Sequence, residues 1–89
     1  MTKFRIFLHK KASNFLEKLP KKDKERIIEK FKQLINFPNV RLDIVKIAGE
    51  PDTFRLRIGD YRALFKIYER EKPIVIVKID IIGRVYRRS

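Results

Sequence analysis

Phe54-Arg55-Leu56-Arg57-Ile58-Gly59-Asp60-Tyr61-Arg62-Ala63-Leu64-Phe65 decides the fold of this 89-residue chain. Apolar residues alternate with basic ones on both sides of Gly59-Asp60. A period of two marks half-buried strands, and a two-residue connection with glycine first marks a type II′ hairpin turn. The pairing register follows by counting outward: Ile58 faces Tyr61, Arg57 faces Arg62, and Leu56 faces Ala63. Phe54, Leu56, Ile58, Tyr61, Ala63, Phe65 and Ile67 then share the core face. Arg55, Arg57, Arg62 and Lys66 share the opposite one. Like charges directly opposite each other destabilise a sheet. Two readings of this face follow: a solvated surface whose arginines splay apart, or a concave anion site whose guanidinium groups hold phosphate bidentately. We favour the second, because these four cations have no carboxylate among them on that face.

Outward from the hairpin, the chain resolves into further elements. Pro73 to Asp80 is a last strand, with Ile74 and Ile76 on one face and Val75, Val77 and Ile79 on the other. A strand apolar on both faces is central or awaits a partner. Tyr61 to Tyr68 and Pro73 to Asp80 are joined across Arg70-Glu71-Lys72. Upstream, in Lys3 to His9, Phe4, Ile6 and Leu8 alternate with Arg5 and His9, and the segment reads as a first strand. The spacing of Ala12, Phe15, Leu16 and Leu19 is helical. Pro20 interrupts it, and from Lys21 a second helix places Ile27, Ile28, Phe31, Leu34 and Ile35 on one stripe. Asp23, Glu25 and Glu29 come early in it and Lys30 and Lys32 late, the favourable sense for the helix dipole. Asn36 and Pro38 end it. The segment from Pro38 to Thr53 reads mostly as loop, with a short strand at Ile44 to Ile47. The expected fold is α+β in one domain, residues 1–89: an N-terminal strand, an αα-hairpin, then a three-stranded antiparallel meander.

Composition narrows the function. Twenty-three Lys and Arg against eleven Asp and Glu give a net charge of +12, which calls for a polyanionic or acidic partner, nucleic acid first. The absence of cysteine excludes disulfides, thiolate metal sites and a cysteine nucleophile. No segment reads as a signal peptide or approaches the roughly 20 apolar residues of a membrane span, so a cytoplasmic location is expected. The three glycines are isolated, which leaves no glycine-rich phosphate loop. His9, the one histidine, stands at a strand end and reads as a packing or surface residue. No carboxylate dyad or metal-ligand spacing is present, and no cofactor is expected. After Gly83, Arg84, Tyr86, Arg87 and Arg88 form a second basic cluster. Its aromatic can stack on a base while its neighbours hold the backbone; a frayed basic terminus is the other reading.

Phe54 to Phe65 resembles the central hairpin of the RelE/ParE toxin superfamily, above all in its Gly-Asp-Tyr-Arg turn. Leu16-Glu17-Lys18-Leu19-Pro20 and Arg84-Val85-Tyr86 match as well, and the likeness is nearest to the short archaeal RelE branch. The resemblance implies the RelE-like microbial RNase-type fold and the toxin of a type II toxin–antitoxin pair. It implies an endoribonuclease that cuts mRNA in the ribosomal A site without a metal. Its partners are then ribosomal RNA, mRNA and a cognate acidic antitoxin. By position, Arg57, Arg62, Arg84 and Tyr86 are the implied catalytic residues, with Arg55, Lys66, Arg87 and Arg88 binding RNA. Many members carry lysine where Arg57 stands. Arginine is a poor base, so the base for the ribose 2′-hydroxyl stays open between Tyr86, a neighbouring lysine and orientation by ribosomal RNA. Two other functions remain: a ParE-like DNA gyrase inhibitor, and a non-catalytic RNA-binding module.

Overall fold

The computed structural model describes residues 5–37, 39–68 and 73–82. Along the chain lie β1 (Arg5–Leu8), α1 (Lys10–Glu17), α2 (Lys21–Leu34), β2 (Asp43–Lys46), β3 (Thr53–Ile58), β4 (Tyr61–Ile67) and β5 (Pro73–Ile81). His9 caps α1: its Nδ1 accepts the Lys11 N–H at 3.2 Å. This satisfies one of the donors that a helix start leaves unpaired. Pro20 stands at the N-cap of α2 with φ −58°, a geometry its ring already favours, and so one helical pattern becomes two helices.

Both helices pack on one face of a single sheet. Ala12 and Leu16 from α1 and Ile27, Phe31 and Leu34 from α2 are buried against Leu56, Ile58, Ala63, Phe65, Ile74 and Ile76. Phe65 lies at the centre, fully buried. It stacks on Phe54 at 5.4 Å between centroids and meets Phe37 edge-on at 6.2 Å. Ile28 falls outside this core although it belongs to the apolar stripe of α2. It is exposed and, with Ile6, Leu8, Leu16, Phe31 and Ile35, lines an apolar groove beside β1.

The hairpin register is the one that counting gives: Arg57 pairs with Arg62, Leu56 with Ala63 and Ile58 with Tyr61. Gly59 has φ +58° and Asp60 keeps a negative φ, which is the type II′ pattern rather than the type I′ one. Two features of the sheet differ from expectation. The sheet is five-stranded and mixed, in the order β1-β5-β4-β3-β2. The three-stranded meander gains β2 at one edge, and β1 runs parallel beside β5, with Ile6 opposite Ile74 and Leu8 opposite Ile76. Alternation reveals a strand but not its neighbour, so pairing across some seventy residues carries no local signal.

The second difference is a bulge. Leu64 pairs with Lys78 and Phe65 with Ile76, which leaves Val77 as the extra residue in β5. An extra residue reverses the parity of all that follows. Ile79 therefore joins Ile74 and Ile76 in the core, where strict alternation puts it with Val75 and Val77 on the other face. The same reversal turns Lys78 and Asp80 toward the open side.

Candidate functional site

The face of the sheet opposite the helices is organised in rows, because side chains on paired strands stand side by side. Nearest the hairpin turn, one row runs Asp80, Arg62, Arg57, Asp43 across β5, β4, β3 and β2. The next runs Lys78, Leu64, Arg55, Val45. The third runs Phe7, Val75, Lys66, Thr53 across β1, β5, β4 and β3. Arg55, Arg57, Arg62 and Lys66 do share this face. The expectation that no carboxylate stands beside them is overturned, since Asp43 and Asp80 flank the arginine pair. The sequence conceals this for two reasons. Asp43 belongs to an edge strand whose register is not legible, and Asp80 reaches this face only through the bulge.

Between the first two rows lies an open cleft of about 260 Å³ lined by Ile47, Arg55, Arg62, Leu64, Lys78 and Asp80. It brings Arg55 and Arg62 together. Arg57 lies outside it, exposed beside Asp43, and Lys66 lies one row further along β4. Among the described residues, Arg55, Arg57 and Arg62 close no ion pair and no side-chain hydrogen bond. Their guanidinium donors are open to a ligand. Lys78 Nζ stands 3.9 Å from Asp80 Oδ2, a long contact between two well-exposed side chains that contributes little by itself. Lys78 and Asp80 are the site residues that alternation misses. The available signal is their being the only charges in an otherwise apolar strand.

The hairpin tip is held from the helical side. Tyr61, at the start of β4, is buried, and its hydroxyl donates to Asp23 Oδ2 at 2.7 Å. Its ring meets Phe15 edge-on at 6.3 Å. Arg26 lies over Gly59, whose missing Cβ would come within 2.9 Å of Arg26 Nη2. The first turns of α2 thus fix the end of the hairpin that carries Arg57 and Arg62. The remaining candidates, Arg84, Tyr86, Arg87 and Arg88, lie outside the described residues. Among the described residues, no group of three or more His, Cys, Asp and Glu side chains lies close enough to hold a metal ion. No helix there is long and apolar enough to cross a membrane.

This architecture can be set against known proteins. Residues 6–86 match the family model described as the ParE toxin of the type II toxin–antitoxin system parDE. The chain belongs to the RelE/ParE toxin superfamily. A relative from Methanocaldococcus jannaschii that carries the toxin name RelE1 is 30% identical over 83 residues, covering 86% of this chain and 88% of the relative. The archaeal RelE–RelB complex from Pyrococcus horikoshii contains a chain that superposes with a TM-score of 0.79 at 33% identity. That match covers 94% of this chain and 99% of the other. The RelBE2 toxin–antitoxin complex of Mycobacterium tuberculosis gives a TM-score of 0.76 at 27% identity, with 90% and 99% covered. Within this toxin superfamily, the mixed sheet with two helices on one face is therefore the RelE arrangement.

Proposed function

We propose that the chain is the toxin of a type II toxin–antitoxin system and acts as a ribosome-dependent endoribonuclease, cutting mRNA in the A site and so stopping translation in the cytoplasm. The observation that carries this reading is the arginine pair on the open sheet face, Arg57 against Arg62, with Arg55 beside it in a cleft and no ion pair closed by any of the three. Cleavage by the ribose 2′-oxygen passes through a crowded phosphorane whose charge needs fixed donors, and preorganised donors of this kind supply much of the rate enhancement in many such reactions. Arg57, Arg62 and Arg84 fill that role. Arg55, Lys66, Arg87 and Arg88 hold the RNA backbone, and Tyr86 stacks on a base or moves a proton. A metal has no part in this scheme.

Regulation falls to a cognate acidic antitoxin. The net charge of +12 favours fast, salt-sensitive association with such a partner. The apolar groove between α2 and β1, with Lys32 on its rim, supports an amphipathic segment as the docking element. Known relatives in complexes with RelB point the same way. Co-expression with the adjacent reading frame, followed by gel filtration, is expected to give a stable complex.

A second reading, inhibition of DNA gyrase, is favoured by the ParE description of the matching family model. One experiment separates the two. The chain is incubated with programmed ribosomes and the mRNA ends are mapped, beside a gyrase supercoiling assay. Cuts at the A-site codon support the ribonuclease; intact mRNA with inhibited supercoiling transfers the function to gyrase.

A further inference from the structure

Phe7 and Tyr68 are the two exposed aromatic side chains among the described residues, at 49% and 51%. Strand pairing puts both on the open face, at the end of the sheet far from the hairpin turn. Phe7 on β1 lies opposite Val75 on β5, and Val75 lies opposite Lys66 on β4. One pleat further out, Arg5 lies opposite Pro73. The Tyr68 N–H donates to the Pro73 carbonyl at 3.0 Å and so extends the ladder beyond Ile67. Ile67 is buried in the core, so alternation turns Tyr68 to the side of Lys66. The two rings stand on strands two apart, roughly 10 Å across the sheet, with Val75 and Pro73 as the floor between them. Each has a cation near it. The Arg5 guanidinium carbon lies 5.6 Å from the Phe7 ring centroid, and Lys66 precedes Tyr68 on the same face. Among the described residues neither Arg5 nor Lys66 closes an ion pair.

We propose that Phe7 and Tyr68 form a two-base stacking platform that binds single-stranded RNA without a ribosome, Arg5 and Lys66 holding the phosphates between the bases. Single exposed apolar residues are common and need no partner. Two rings across an apolar floor, each beside a cation, match a polynucleotide, which alternates flat bases with phosphates. Open sheet faces with exposed aromatics take up unpaired RNA in this way. The bases of a duplex already cover one another's faces, so an isolated ring gains nothing from them. Stacking is also tolerant of sequence, since every base has a π-face. Charge decides against the other occupants. A second copy would bring the same cations, on a chain of net charge +12. An acidic protein segment has the apolar groove between α2 and β1 on the other side of the sheet. The cations here instead lead on along β4 from Lys66 to Arg62, a line that a repeating phosphate backbone can follow.

The proposal rests on the reading that this face binds RNA, and its residues are not those of the cleft. The full chain is titrated into a fluorescent oligouridine of about 12 nucleotides, a length such surfaces cover, and binding is followed by anisotropy at several salt concentrations. Inorganic polyphosphate and an RNA duplex are measured beside it. Phe7→Ala and Tyr68→Ala should each weaken the single strand by about ten-fold and leave polyphosphate and the duplex unchanged. The salt dependence should stay that of the parent, because no charge is lost. Phe7→Trp should keep the parental affinity, and Arg5→Ala should flatten the slope of log affinity on log salt by about 0.7. Each variant is checked for folding by circular dichroism. Tyr68 lies past the end of β4, so Tyr68→Ala tests the platform whatever Phe7→Ala does to the edge strand. Parental affinity in the folded alanine variants overturns the platform and leaves RNA binding to the arginine rows. An equal loss of polyphosphate and duplex binding overturns it too, since stacking is then not what was removed. If the variants weaken only the complex with a co-expressed antitoxin, the patch is a protein surface and the proposal falls. If the parent binds no RNA of any kind, the RNA reading of this face falls with the platform.

Discussion

Replacing Tyr61 by Phe removes a single oxygen, and the structure says what that oxygen does. Its hydroxyl donates to Asp23 Oδ2 at 2.7 Å and so ties the start of α2 to the start of β4. Tyr61 is 7% exposed as a whole, so its ring would stay in place, with its edge contact to Phe15 intact. A hydrogen bond to a charged acceptor contributes roughly 1.5–3 kcal/mol. The Asp23 side chain is 33% exposed, so water can solvate it once the hydroxyl has gone. The expected loss is therefore below that range, about 1 kcal/mol, which for a domain this size lowers Tm by roughly 4–8 °C. Asp23→Ala removes more than the bond. It deletes a carboxylate from the first turn of α2, a favourable place worth about 0.3–1 kcal/mol, and a long contact with Arg26 at 4.0 Å. A double-mutant cycle cancels those extra losses. Urea and thermal unfolding of the four proteins, followed by circular dichroism, should give a coupling of about 1 kcal/mol. A coupling below about 0.3 kcal/mol, the limit of simple additivity, would refute the idea that this bond clamps the hairpin to the helices.

Outcomes are expected for four other substitutions. Arg62→Ala should abolish mRNA cutting on programmed ribosomes with stability unchanged to within about 0.5 kcal/mol, since relief from Arg57 on one side is offset by loss of Asp80 on the other; Arg84→Ala should abolish cutting as well. A folded and fully active Arg62→Ala protein contradicts the site. Gly59→Ala should lose about 1 kcal/mol in chemical denaturation, because φ +58° suits glycine. The 2.9 Å approach to Arg26 Nη2 is relieved by swinging a half-exposed side chain and adds little. Phe65→Ala, which empties the fully buried centre of the core, should cost about 3–5 kcal/mol and be visible as a collapse of the denaturation midpoint.

The parts of this molecule that are legible in its sequence are those encoded by near neighbours. Gly59-Asp60 sets the turn, the turn sets the register, and the register puts Arg57 against Arg62 without reference to anything distant. Helical spacing and Pro20 do the same for α1 and α2. What escapes is encoded between distant residues or by a single insertion. The parallel pairing of β1 with β5 joins segments nearly seventy positions apart. Val77 looks like any other β-branched residue in an apolar run, and only its pairing with β4 shows that it is surplus. That one residue moves Ile79 into the core and Asp80 into the cleft. With Asp80 placed by the bulge and Asp43 by the edge strand β2, the face expected to be purely cationic is a mixed one, with acceptors at both flanks of its arginines.

The position of β5 has a consequence for how the protein comes into being. It is the last of the described strands along the chain, yet in the sheet it lies between β1 and β4. During synthesis, the first strand and the helical pair emerge without the neighbour that covers them. The hairpin of β3 and β4 likewise waits with one edge unpaired. The sheet cannot close until residue 81 has cleared the exit tunnel, and the contacts that close it span most of the chain, the kind that form slowly. Folding therefore runs as a single late event rather than by progressive accretion. The rows that carry the arginines are completed only at that event, because Lys78 and Asp80 arrive with the closing strand. A nascent chain thus lacks the completed face until β5 docks, and whatever binds across those rows can do so only once the last described strand is in place.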